Sequence, residues 1–451
     1  MSAHPRDRLG RELGLFDAAM LVVASVIGAG IFFAPGQVAQ FLPNPTWILI
    51  AWLIGGGLSL AGALANAELG AMFPRAGGDY VYLREAFHPI AGFLVGWLTF
   101  FAIYTGTIAA LALAFAEGLA APWDLEESSI VLIALATTAG ISGLNYVGVK
   151  WGARGNNLTS LLKLAALILF VGLGFWSGVG DESRLLTAPE DHSGSTGWVH
   201  WGRALAPVLF SYLGWNASVF VASEIRSPER NVPRSLFLGL GICVVVYLSV
   251  NALYLYALPL ETLAGAPDVA ESAGRALFGS VAGRWIGLFV LLSVLGTLNA
   301  SVLVGPRIAY AMALDGLFFK GVDRTHPVFR TPSTAILVQA AASMALLLVL
   351  RSFPRALDFT VFAILIASSA DVLALYRLRR TQPGRTRPYR AWGYPWLPGL
   401  YLLANGAVAI SMLMGSPMEC GISVGLLIAG WPLYGYFRRR ATRAASPADV
   451  E

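Results

Sequence analysis

Ser25-Val-Ile-Gly-Ala-Gly-Ile-Phe32 and Phe210-Ser-Tyr-Leu-Gly-Trp-Asn-Ala217 are two glycine-marked stretches set inside long apolar runs. Their reading decides the fold. Apolar runs of roughly 20 residues, the length a helix needs to cross a bilayer, recur from Leu15 to Phe437. Of the 451 residues, 56% are apolar and 13% charged, against about 25% charged in a soluble domain. In hydrocarbon every backbone N–H and C=O must find a partner, so an unwound helix survives only when buried in protein or lining a cavity. Two breaks, each in the first span of one half of the chain, predict discontinuous helices meeting at mid-membrane around a carried solute.

Working outward, twelve spans are predicted: 15–40, 47–72, 87–119, 129–149, 156–179, 202–223, 235–258, 276–311, 332–351, 357–377, 395–415 and 419–437. Tryptophans near the ends of many runs (Trp47, Trp97, Trp123, Trp198, Trp285, Trp396, Trp431) read as interfacial belts. With these spans, 24 of the 31 Lys and Arg fall in loops on one side, while the opposite loops are acidic. The positive-inside rule makes the basic side cytoplasmic and puts both termini there, in a multi-pass protein of the cell membrane. The net charge of +5 is spread over separate loops and marks no nucleic-acid face. The first apolar run continues to about Gln40 without a small-residue cleavage site, so it reads as retained. Cys243 and Cys420 lie in or beside apolar runs and read as buried thiols.

The breaks stand five spans apart. Repeats of five helices must be inverted, so the expected fold is an all-α membrane protein with a 5+5 inverted repeat and two extra helices. The segments are a cytoplasmic N-terminal stretch 1–14, a first repeat 15–179, a second repeat 202–377, helices 11 and 12 at 395–437, and a tail 438–451.

A half-helix that starts at a break presents unpaired N–H groups and about half a positive charge. Val26, Ile27, Gly28, Ala29 and Gly30 can thus receive a carboxylate. Carbonyls freed at the ends of the preceding half-helices suit an ammonium, in the second break those of Phe210 and Ser211, beside Leu213 and Gly214. Together they frame a zwitterion. The competing reading of the Gly-x-Gly is close helix packing, a common use of small residues in membranes.

Several motifs resemble the amino acid–polyamine–organocation (APC) transporters. Glu12-Leu-Gly-Leu15 with Ile27-Gly-Ala-Gly-Ile-Phe32 is similar to their opening, and Glu68-Leu-Gly-Ala-Met-Phe-Pro-Arg-Ala-Gly-Gly-Asp-Tyr80 to their connection between the second and third helices. Phe210-Ser-Tyr-Leu-Gly-Trp-Asn216, Glu224-Ile-Arg-Ser-Pro-Glu-Arg-Asn-Val-Pro233 and Leu298-Asn-Ala-Ser301 resemble the L-amino acid transporter branch in particular. The resemblance covers roughly residues 10–400 and implies the LeuT-like five-plus-five fold with helices 1 and 6 discontinuous. It also implies amino acid transport without sodium, by exchange or by proton symport. Phe210 matches the family's aromatic gate and Tyr247 a tyrosine near the site. Two departures matter. Ala29 stands where many relatives have Ser, removing a hydroxyl donor. Leu213 stands where the branch often has Gly, and its bulk predicts a smaller pocket for small or medium neutral amino acids, since overfilling typically costs about 1–3 kcal/mol. Relatives that join a glycoprotein do so through a cysteine after span three; 120–129 has none, so the chain is expected to work as a monomer or weak homodimer.

Lys163 lies inside span five, where an unpaired ammonium costs about 2.5–3.5 kcal/mol. The functional reading puts it where sodium-coupled relatives of the fold hold a cation, bridging the first break to hydroxyls such as Thr297; snorkelling to the interface is the alternative. Glu68 and Glu224 are expected to pair with Arg75 or Arg226. Asp371 is either a packing partner of a cytoplasmic Arg or a proton relay. The five histidines and two cysteines show no metal spacing and no Gly-Lys-Ser/Thr phosphate loop occurs, so no cofactor, metal, ATP-driven cycle or enzyme is expected. A polyamine or cationic amino acid exchanger and, last, a channel complete the alternatives.

Overall fold

The computed structural model describes residues 11, 13–75, 77–120, 123, 125–147, 152–185, 197–327 and 331–444. Most of the N-terminal segment, Glu12 of the opening motif, part of 120–129, Lys150, Arg330, the end of the tail and the side chain of Arg154 lie outside what is described.

Helices make up the described chain, with one short parallel bridge between Leu13 and Ile225. They are α1 (Leu15–Val26), α2 (Gly30–Phe41), α3 (Pro45–Met72), α4 (Asp79–Ala86), α5 (Pro89–Leu98), α6 (Thr105–Ala120), α7 (Glu127–Val147), α8 (Gly152–Trp176), α9 (Trp198–Ser211) and α10 (Ala217–Phe220). Then follow α11 (Pro228–Ala257), α12 (Leu260–Gly265), α13 (Val269–Phe278), α14 (Ser280–Val304), α15 (Pro306–Leu314), α16 (Ser333–Leu350), α17 (Phe353–Thr381), α18 (Trp396–Gly415) and α19 (Pro417–Ala444). Proline opens many of them, where its missing N–H costs nothing. Pro45 follows Asn44, whose Oδ1 accepts the N–H of Thr46 at 2.9 Å and of Trp47 at 3.3 Å.

Among the described residues nine helical stretches are long and apolar enough to cross a membrane, and α1 with α2 makes a tenth, bent by 43°. The remaining two expected spans are α8, whose apolar part Ser160–Trp176 is shorter, and α9 with α10, divided by the second break. The short helices α4, α12 and α13 lie in connections read as loops from the sequence.

Burial separates centre from rim. The stretch Pro89–Ala120 is largely buried, whereas α7, α18 and α19 are mostly exposed to what would be lipid. The two broken spans lie in the centre: α2 packs on α9, α1 on α11 and α8, and α11 runs along α3. Between α5 and α6 the chain widens into a π-helical turn, Thr99–Tyr104, a feature that recurs at functional sites. Trp123, Trp198, Trp285, Trp396 and Trp431 are exposed. Trp97 departs from the interfacial expectation: it is buried, stacked on Phe93 and packed against Phe101, because it sits on the inward side of α5.

Candidate substrate site

At Ile27 the backbone leaves the helix (φ −74°, ψ 91°) and the carbonyls of the last turn of α1 lose their i+4 donors. Side chains from three other helices replace them. Lys163 Nζ of α8 donates to Ile27 O at 3.2 Å and to Thr297 Oγ1 at 3.0 Å. Thr297 Oγ1 of α14 in turn lies 2.8 Å from Ile27 O and 3.3 Å from Ala24 O. Tyr247 of α11 places its hydroxyl 2.7 Å from Val26 O and 2.9 Å from Ser211 O. One phenolic proton faces two carbonyls from two different breaks, so one of them remains an acceptor for another donor. Across the gap, the N–H groups of Gly28, Ala29, Gly30 and Ile31 have no backbone partner among the described residues.

In the second break α9 ends at Ser211 and Tyr212–Asn216 form successive turns before α10. Gly214 has φ +96°, and a Cβ on it would lie 2.6 Å from Ser25 Cβ; only glycine fits both demands. The breaks thus touch each other. Gly28 is covered by Thr297 and Gly30 by Ser211, each too close for a Cβ. The glycines therefore serve close packing as well as unwinding, and the packing reading of Gly-x-Gly is part of the answer. The carbonyl of Phe210 is not freed as expected, because Leu213 N donates to it at 2.9 Å and closes the turn.

A cavity of about 40 Å³ lies against the second break. Of the substrate residues proposed from sequence it reaches Leu213 and Gly214, with Ser25, Trp215 and Asn216 beside them. Val26, Ile27, Gly28, Ala29, Gly30, Phe210 and Ser211 do not line it. They are buried. Phe210 sits on the far side, its ring 5.7 Å from that of Phe353 at 76°, with Phe33 5.9 Å from Phe353 in turn. These three rings form a cluster outside the cavity wall. Phe353 N–H is held by Glu117 Oε1 at 3.0 Å, which fixes the start of α17 to the end of α6.

The rest of the cavity wall was not found from sequence: Thr99 and Tyr104 of the π-helical turn, Ser301 of α14 and Ser368 of α17. Its signal is faint, a polar residue every few positions on otherwise apolar spans. Long-range ion pairs were missed for the same reason. Glu68 is fully buried and binds Arg379 (2.6 Å) and Arg387 (3.1 Å), not Arg75, which reaches Glu85. Glu224 binds Arg307 at 2.8 Å, not Arg226. In both cases a guanidinium from another helix reaches the buried carboxylate. Asp371 has no arginine partner among the described residues; Asn66 Nδ2 donates to it at 3.0 Å. Cys243 and Cys420 are free and buried. No group of three or more His, Cys, Asp or Glu is placed to hold a metal among the described residues.

Comparison with known proteins agrees with this architecture. The amino acid permease family model matches residues 13–428. The serine/threonine exchanger SteT of Bacillus subtilis is 33% identical over 445 residues, covering 97% of this chain and all of that protein. The human large neutral amino acids transporter small subunit 2 is 29% identical over 440 residues (94% of this chain, 80% of that protein). The human Asc-type amino acid transporter 1 is 27% identical over 445 residues (96% and 83%). All are membrane transporters, not enzymes. Matched along nearly its whole length, the chain belongs to the amino acid permease family, in the L-amino acid transporter branch of the APC superfamily.

Proposed function

We propose that this protein exchanges small or medium neutral L-amino acids across the cell membrane by alternating access, without sodium. The observation that carries the proposal is the contact between the breaks. N–H groups at the start of α2 lack backbone partners a few residues from Val26 O and Ser211 O, which share one tyrosine proton. A carboxylate on the former and an ammonium on the latter satisfy both sets. The substrate side chain then points past Leu213 into the cavity, and Phe210 covers it from the opposite side.

Two features support independence from sodium. Lys163 already supplies a cation to Ile27 O and Thr297 at the crossing of α1, α8 and α14. A metal ion there would meet its charge at close range. The serine/threonine exchanger named above supports small neutral substrates, and the half-buried Leu213 narrows the wall in the same sense. We infer further that 15–179 and 202–377 are inverted repeats with both termini cytoplasmic, and that the chain works without a disulfide-linked partner.

The test is counterflow in liposomes holding the purified full chain in choline buffer. Labelled L-alanine should enter only when unlabelled neutral amino acid is inside. Uptake independent of internal amino acid would refute exchange, and a rise in rate when sodium replaces choline would refute independence from sodium.

A further inference from the structure

Outside the breaks, the buried groups the mechanism leaves unused gather at one place. Asp79 opens α4 and Asp371 lies on α17, both all but fully buried. Their carboxyl groups lie within hydrogen-bonding reach of each other. Asp79 Oδ2 also accepts from Thr99 Oγ1 at 3.4 Å, and Asp371 Oδ2 from Asn66 Nδ2 at 3.0 Å. The second oxygen of each carboxyl and Asn66 Oδ1 have no partner. Nor does the fully buried hydroxyl of Tyr82, which lies near both carboxyls.

The surroundings hold no counter-charge among the described residues. Asn66 of α3 and Thr99 of the π-helical turn bond the pair, and Tyr82 of α4, Tyr104 of that turn and Tyr401 of α18 lie near it, all neutral. Of the arginines on the same elements, Arg84 binds Asp315, Arg355 binds Glu419, Arg377 binds Ala86 O and Arg379 binds Glu68, while Arg380 stands nine residues beyond Asp371, about 13 Å along the helix. Two adjacent carboxylates in a neutral, water-poor site repel, and each also loses its hydration. One proton shared between them removes the repulsion and supplies the donor that their hydrogen bond requires. Asp79, Thr99 and Ser368 line the substrate cavity, so the pair has a route to water.

We propose that Asp79 and Asp371 form a proton-sharing carboxyl pair, a proton-binding site in the cavity wall whose occupancy permits exchange. This rests on the exchange reading above. With the proton bound, α4 and α17 pack together and the wall is formed. When it leaves, two like charges push α4 away from α17 and the cavity loses its shape. Activity therefore belongs to the protonated form and is lost as pH rises through the titration of the pair.

The experiment is L-alanine counterflow by the full chain in sodium-free liposomes, with equal pH on both sides, from about pH 5 to about pH 9. Beyond the midpoint the rate should fall tenfold per pH unit, the slope of one proton. Asp371→Asn and Asp79→Asn, which keep a neutral hydrogen-bonding group, should flatten the profile; Asp371→Glu should keep it with a shifted midpoint. A flat wild-type profile, an unchanged midpoint in both Asn variants, or a rate that follows sodium and not pH would overturn the proposal. Infrared titration of the wild-type protein gives a readout independent of the variants' folding. A protonated-carboxyl band that disappears at the alkaline end supports the pair, and its absence over the whole range refutes it. If no neutral amino acid exchanges at any pH, the exchange reading fails, while the infrared result still decides the pair.

Discussion

Lys163 makes two hydrogen bonds, at 3.2 Å to Ile27 O, which Thr297 Oγ1 also approaches at 2.8 Å, and at 3.0 Å to Thr297 Oγ1. A hydrogen bond from a charged group contributes about 1.5–3 kcal/mol, and about 1.4 kcal/mol is tenfold in an equilibrium constant. Lys163→Met keeps the stem and removes both bonds, so it should cut L-alanine exchange at least tenfold. Initial rates in liposomes check this, and a variant exchanging at the wild-type rate would show that these bonds do not support exchange. Tyr247→Phe removes the one proton shared by Val26 O and Ser211 O. A buried carbonyl left unpaired costs about 1–3 kcal/mol, and the thermal midpoint of the detergent-solubilised protein should fall accordingly. Leu213→Gly opens the cavity wall and should raise the rate for leucine or phenylalanine relative to alanine by about tenfold or more, the scale of a few methylenes in an apolar pocket. An unchanged selectivity ratio would place the side-chain pocket elsewhere. At this scale the sequence was informative where a residue type is anomalous for its place, as a lysine in hydrocarbon or a leucine beside the Gly-Trp pair. It was silent where a common residue matters only through a distant neighbour. Thr99, Ser301 and Ser368 are ordinary residues until three helices bring them to one cavity.

Among the elements, the second break depends on Gly214 twice, through its φ of +96° and through its approach to Ser25. A left-handed alanine costs about 1–3 kcal/mol, and its Cβ would in addition displace α1. Gly214→Ala should therefore abolish exchange while the chain still inserts in the membrane. Gly57, exposed on α3 with nothing within 4 Å of its Cβ position, is the matched control and should tolerate alanine. Glu68 fastens α3 to α17 and to the linker after it, through Arg379, Arg387 and the N–H of Ala391 at 2.7 Å. Glu68→Gln leaves two guanidinium groups without their carboxylate, a loss of about 3–5 kcal/mol for a buried pair, and should lower the thermal midpoint far more than Gly57→Ala does. The spans and both breaks were legible because hydrocarbon imposes a length and forbids unpaired backbone. The partners of Glu68 and Glu224 were not, since nothing local specifies which of many loop and helix-end arginines will reach a given carboxylate.

For the whole molecule, the central arrangement is two broken helices held in contact by side chains from α8, α11 and α14. The rim is replaceable lipid-facing surface by comparison: α7, α18 and α19 contribute little to the buried centre. The rings of Phe33, Phe210 and Phe353 pack on one another apart from the cavity wall, and in the proposed alternating-access cycle they are the contact that opens. On the proposed reading, the breaks recognise the part common to all amino acids, and the cavity past Leu213 reads the part that differs. The most direct measurement is competition against L-alanine counterflow by alanine analogues in liposomes holding the full chain. The account predicts that alanine competes, while its methyl ester, its N-acetyl derivative and lactate do not, because each lacks one half of the zwitterion. Equal competition by lactate or by the ester would contradict it, since the breaks would then not be holding both charged ends.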